Sequence, residues 1–125
     1  MKIWKCKECN NVVAVLKEGS CIPTCCGQEM QEMKANTVDA AKEKHVPIVE
    51  VNGLVATVTC GSVLHPMEEN HYIEFMVLTT TEGVKIDYLK PGMEPVCYFS
   101  MGEGETVISA YAYCNLHGLW KSSSE

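Results

Sequence analysis

Pro47-Ile48-Val49-Glu50-Val51-Asn52-Gly53-Leu54-Val55-Ala56-Thr57-Val58-Thr59 is the stretch that decides the fold class. Two runs rich in β-branched residues flank the pair Asn52-Gly53. Both residues of such a pair tolerate positive φ, so Asn-Gly between β-rich runs is a strong hairpin signal. Further along, residues 72–79 read as a strand, Glu82-Gly83 turns the chain into residues 84–89, and Pro91-Gly92 makes another turn. Residues 95–100 and 106–113 complete the set. Thr37 or Asp39 is placed to cap a short helical turn through Ala40-Ala41-Lys42. Short strands separated by turns, with no long amphipathic helix, predict an all-β chain folded as a β-sandwich.

Upstream of that region the composition changes. Residues 1–36 hold five of the eight cysteines and no histidine, whereas residues 37–125 hold all four histidines. Two domains are therefore expected, 1–36 and 37–125, with the junction near Ala35–Asp39. Hydrophobic residues at 46% and charged residues at 21% are a normal globular balance. A net charge of −6 argues against nucleic acid, which needs clustered Lys and Arg. No apolar run approaches the roughly 18 residues of a membrane span. None follows Met1-Lys2-Ile3-Trp4-Lys5 as a signal peptide requires. A cytoplasmic location is expected, with no membrane partner, and cysteines there serve as metal ligands or free thiols more than as disulfides.

Cys6-Lys7-Glu8-Cys9 is a CxxC pair, and Cys25-Cys26-Gly27 follows sixteen residues after Cys9. Two sulfurs on a tight turn grip one side of an ion, and a second pair closes the tetrahedron. A module of this size cannot build a sufficient core alone, so a metal staple is physically reasonable. Four sulfurs suit zinc and iron equally well. A redox CxxC of thioredoxin type is disfavoured because no βαβ pattern surrounds it. Cys21 reads as a free thiol, and Cys60 and Cys97 as small buried hydrophobes.

His45, His65, His71 and His117 all fall at loop–strand boundaries, where a scaffold can aim ligands at one point. Cys114-Asn115-Leu116-His117 adds a two-ligand spacing. If all five groups bind one ion, four imidazoles can lie in a plane with the thiolate on one axis and the opposite axis open. Zinc prefers four ligands, whereas iron accepts five or six. The competing reading leaves some of these histidines as ordinary surface residues.

In combination these motifs resemble the desulfoferrodoxins, the two-iron superoxide reductases, over essentially the whole chain. The resemblance is carried by Cys6-x-x-Cys9, Cys25-Cys26-Gly27, Glu43-Lys44-His45-Val46-Pro47, His65-Pro66-Met67-Glu68-Glu69-x-His71-Tyr72 and Cys114-Asn115-x-His117-Gly118-x-Trp120. It implies a desulforedoxin-like N-terminal iron module, an immunoglobulin-like catalytic sandwich of the neelaredoxin kind, and a homodimer. Cys6, Cys9, Cys25 and Cys26 are implied to hold the first iron. His45, His65, His71, Cys114 and His117 are implied to hold the second, catalytic iron.

The implied activity is one-electron reduction of superoxide to hydrogen peroxide, a detoxification under oxidative stress, with a rubredoxin-like electron donor. Lys44 is implied to draw the anionic substrate, because focusing by a local positive charge survives a negative net charge. Glu43 is implied to close the open iron position after turnover. A rubredoxin-like electron carrier without substrate turnover, a structural zinc protein and a superoxide dismutase are the competing assignments.

Overall fold

The computed structural model describes residues 1–123, which form two compact units, Met1–Lys34 and Ala35 onward.

In the first unit, β1 (Ile3–Lys5) pairs on one side with β2 (Val12–Ala14). On the other side it pairs with β5 (Gln31–Glu32), while β3 (Thr24–Cys25) and β4 (Gln28–Glu29) form a separate hairpin. Only Ile3, Cys6 and Met30 are buried, too few to hold such a unit by apolar burial alone. The β3–β4 turn consists of Cys26 (φ 53°) and Gly27 (φ 75°). Two successive left-handed residues are the signature of a type I′ hairpin. For Gly27 this conformation is free, but for Cys26 it costs about 1 kcal/mol or more. Strain of that kind persists where the surroundings over-determine it, commonly at functional sites.

In the second unit, helix α1 (Lys42–His45) precedes seven antiparallel strands in two sheets among the described residues. One sheet has the order β10 (Val96–Ser100), β7 (Val55–Cys60), β6 (Pro47–Asn52). The other has the order β12 (Gly118–Ser123), β11 (Val107–Cys114), β8 (Ile73–Thr80), β9 (Gly83–Tyr88). Alternate residues face inward, as the two-residue period of a strand dictates. Ala56, Val58 and Cys60 from β7 and Cys97 and Phe99 from β10 meet Met76, Leu78, Ala110 and Ala112 of the facing sheet. This three-plus-four arrangement is the immunoglobulin-like sandwich that the motifs imply. Cys60 and Cys97 are buried there, as expected of small hydrophobes.

Several local expectations are displaced. The helical turn spans Lys42–His45, not Ala40–Lys42, and its N-cap is Ala41, with no side-chain capping bond from Thr37 or Asp39. His45 ends this helix, two residues before β6 begins at Pro47. In the β6–β7 hairpin Asn52 pairs with Val55, so the turn is Gly53-Leu54 and only Gly53 has positive φ. The β8–β9 turn is Thr81-Glu82, because Gly83 pairs with Thr80. Strand β12 is an addition to the strands that the sequence predicts. Gly118 at φ 76° makes the tight return, and Leu119 and Trp120 are buried. Asn36 fixes its outer side: the Asn36 N–H donates to the Leu119 carbonyl at 3.0 Å, and its side chain both donates to and accepts from the Lys121 backbone.

Candidate metal centres

The four sulfurs of Cys6, Cys9, Cys25 and Cys26 lie within 4.8 Å of one another. The CxxC turn is closed by the Asn10 N–H donating to the Cys6 carbonyl at 3.1 Å, with Asn10 left-handed at φ 64°. Cys9 and Cys25 sulfurs are 3.6 Å apart, and Cys25 and Cys26 sulfurs 4.0 Å. A disulfide needs about 2.05 Å. A tetrahedron with metal–sulfur bonds of about 2.3 Å has sulfur–sulfur edges of about 3.8 Å, which these separations match. Backbone N–H groups, that of Cys9 foremost, hold the Cys6 thiol down at about 7. Contact with the Cys9 and Cys6 sulfurs pushes Cys26 up to about 12 and raises Cys25. The cluster therefore resists carrying four negative charges by itself, and a cation relieves that repulsion. Cys21 is exposed and lies outside the cluster, in keeping with a free thiol.

The second cluster gathers His45 from the end of α1, His65 and His71 from the β7–β8 connection, Cys114 from the end of β11 and His117 from the turn into β12. Successive rings sit edge-on in a closed cycle. Centroids are 4.6 Å apart for His45–His65, 4.7 Å for His65–His71, 5.1 Å for His71–His117 and 4.9 Å for His45–His117. Trp120 stacks on His45 at 4.8 Å, and Cys114 is fully buried.

Proton placement shows what this cycle is built for. His45 Nδ1 lies 2.7 Å from the Ala41 carbonyl, and His65 Nδ1 lies 2.7 Å from the Pro66 carbonyl. Each Nδ1 must carry the proton, since a carbonyl only accepts. Both Nε2 atoms are then bare lone pairs, yet they face each other at 3.1 Å. Burial lowers His45 and pushes His65 down to about 4, so a second ring proton does not relieve the contact. His117 Nδ1 also lies 3.1 Å from His45 Nε2, and His71 Nε2 is buried without a partner among the described residues. Converging lone pairs and an orphaned ring nitrogen fit a bound cation and little else. Carbonyls oriented on the far ring nitrogen are the usual outer support of histidine ligands. Burial raises the Cys114 thiol, while backbone N–H groups of His117 and Leu116 counteract.

Glu43 and Lys44 precede His45 on α1 with exposed side chains. After burial and the neighbouring His117, the positive charge of Lys44 also lowers His71, so its field reaches the ring cycle. Their turn is strapped from outside. The Val63 N–H donates to the Glu43 carbonyl at 3.0 Å, and the Gly61 N–H to the Val46 carbonyl at 3.2 Å. The buried Cys60 thiol donates toward the Lys44 and His45 carbonyls at 3.4 and 3.3 Å. Gly61, at φ 87°, passes so close that a Cβ there would lie 2.6 Å from the Glu43 carbonyl oxygen and 2.7 Å from the Lys44 carbonyl carbon. Sequence reading missed Gly61 and Cys60 as supports.

The fold and the two donor sets define a two-site metalloprotein: a tetrathiolate module and a sandwich with a four-imidazole, one-thiolate centre. The family model described as "Desulfoferrodoxin, N-terminal domain" matches residues 1–33, and the model described as "Desulfoferrodoxin" matches residues 37–123. A desulfoferrodoxin homolog of Archaeoglobus fulgidus is 46% identical over 122 residues, covering 98% of this chain and 96% of the relative. The desulfoferrodoxin of Nitratidesulfovibrio vulgaris is 46% identical over 124 residues, covering 98% and 96%. The crystal structure of the superoxide reductase from Treponema pallidum superposes with a TM-score of 0.83 at 32% identity, covering 98% of this chain and all of that one. The chain belongs to the desulfoferrodoxin family. Its two clusters match the two iron sites of that family, which decides between iron and zinc at the four cysteines.

Proposed function

We propose that this chain is a superoxide reductase, an oxidoreductase that reduces superoxide to hydrogen peroxide and draws its electrons from an external rubredoxin-like donor. The observation that carries this reading is the closed cycle of four imidazoles backed by one buried thiol. Five donors exceed the four that zinc prefers and would suit iron. His45, His65, His71, Cys114 and His117 would hold the iron, which would supply one-electron redox chemistry there. The relatedness to the Treponema pallidum superoxide reductase supports the same assignment.

The remaining work falls to the chain itself. His45 and His65 are locked as single tautomers by the Ala41 and Pro66 carbonyls, so their lone pairs need no reorientation. Trp120 walls His45 from the interior and donates its indole N–H to the His117 carbonyl at 3.0 Å, fixing the turn that carries that ligand. Lys44 offers a positive charge beside the site in a protein of net charge −6, drawing the anion locally and holding a water that delivers protons. Glu43, on the same turn, covers the substrate position between turnovers. Residues 1–36 and 37–125 act as separate modules, each keeping its own iron. The working protein is a cytoplasmic homodimer.

Metal analysis with visible spectroscopy, followed by pulse radiolysis of the reduced protein, tests the assignment. Two irons per chain, a thiolate absorption band and second-order consumption of superoxide are expected. A colourless zinc protein, or an iron protein inert to superoxide, would refute it.

A further inference from the structure

His71 differs from His45 and His65 in what holds it. His45 and His65 each anchor their far ring nitrogen on a carbonyl at 2.7 Å. For His71 no ring hydrogen bond is seen among the described residues, and it belongs to no helix or strand. Apart from its edge contacts with the His65 and His117 rings, it is aimed through its backbone. That backbone is a small closed turn, in which the His71 N–H donates to the Glu68 carbonyl at 3.0 Å and the Glu68 N–H donates back at 2.9 Å.

One side chain grips both residues flanking His71. The Tyr72 N–H donates to Asn115 Oδ1 at 3.0 Å, and Asn115 Nδ2 donates to the Asn70 carbonyl at 3.0 Å. The Asn115 N–H donates to the Tyr72 carbonyl at 3.2 Å. Asn115 directly follows Cys114, so the clip ties His71 to the strand end that carries the thiolate.

We propose that Asn115 is the positioning residue for His71, setting that ring against Cys114 through a three-bond clip. The inference rests on the reading of the histidine–cysteine cluster as an iron site. An amide is required because one end must accept and the other donate. Asp keeps the acceptor for Tyr72 and loses the donor for Asn70, whereas Leu keeps the bulk and loses both.

Iron release to a ferrous chelator from the reduced two-iron protein reads the clip without superoxide chemistry. Loss of an outer support of this kind weakens a metal site by about 10–100-fold. Asn115→Leu is expected to release the histidine-bound iron faster by about that factor, with Asn115→Asp between it and wild type. The four-cysteine iron serves as internal reference and stays put. Leu78→Ala controls for general loosening, since Leu78 is buried and pairs with Ala110, far along β8 from the Ile73–Cys114 pair. It should lower the melting temperature without accelerating release. Equal acceleration by Leu78→Ala and Asn115→Leu would overturn the proposal. Wild-type protein that holds no iron at this site would sink the metal reading and the clip with it. Wild-type protein that holds iron no more tightly than Asn115→Leu would sink the clip alone.

Discussion

Gly61→Ala is the substitution most tightly constrained by the geometry. Two costs add. The first is conformational: Gly61 sits at φ 87°, where an L-residue is disfavoured by about 1–2 kcal/mol. The second is steric: the new Cβ would lie 2.5 Å from the Val63 carbonyl oxygen, 2.6 Å from that of Glu43 and 2.7 Å from the Lys44 carbonyl carbon. All three are backbone atoms, so no side chain can swing away, and the strap or the Glu43–Lys44 turn must move. A total of about 2–4 kcal/mol follows, within the range of backbone-strain and overpacking substitutions. For a unit of this size that lowers the melting temperature by about 10–25 °C. Gly92→Ala separates the two costs, because Gly92 has φ 90° but nothing within 4 Å of an added Cβ. Thermal unfolding of both variants and wild type, in the same metal state, should place Gly92→Ala near the conformational cost alone and Gly61→Ala well below it. Equal melting temperatures for the two variants would refute the close-approach reasoning. The displaced turn should also slow the reaction of Gly61→Ala with superoxide.

Other expectations follow from the same geometry. Lys44→Ala should slow the second-order reaction with superoxide by roughly tenfold or more, equivalent to about 1.4 kcal/mol of barrier. Pulse radiolysis at several ionic strengths should also show a smaller salt dependence in that variant, since a nearby charge has been removed. Cys6→Ser should cripple the four-cysteine iron and leave the histidine-bound iron in place, as read by metal analysis and visible absorption. In the metal-free chain His65 protonates only near 4 when folded, against 6.5 when unfolded. Between those values the unfolded state binds more protons, so the contribution of His65 to stability should be constant above pH 6.5 and be lost as pH drops toward about 4. Urea unfolding across that interval checks the sign.

Sequence made the sandwich legible because its hairpins are signalled locally. The Asn52-Gly53 turn was found but displaced by one residue. Positive φ is needed only at Gly53, which leaves Asn52 free to remain in β6 opposite Val55. β12 escaped notice because Gly118-Leu119-Trp120-Lys121-Ser122-Ser123 has little strand character of its own. Pairing with β11 and the hold of Asn36, 85 residues from Lys121, make it a strand. The metal ligands were legible through motif combination, and more weakly through their spacing. Their supports were not, because each depends on distant partners. Asn115 reaches back 45 residues to Asn70, and Gly61 is required only because the Glu43–Lys44 backbone passes over it. No period or propensity encodes such encounters.

As a superoxide reductase, this chain is expected to reduce superoxide without disproportionating it. Simultaneous measurement of oxygen and hydrogen peroxide on the reduced, iron-loaded protein tests it most directly. Reduction predicts peroxide equal to the superoxide consumed and scarcely any oxygen, with turnover stopping unless a reductant such as reduced rubredoxin is supplied. Sustained oxygen release without a donor, matching the peroxide formed, would contradict it.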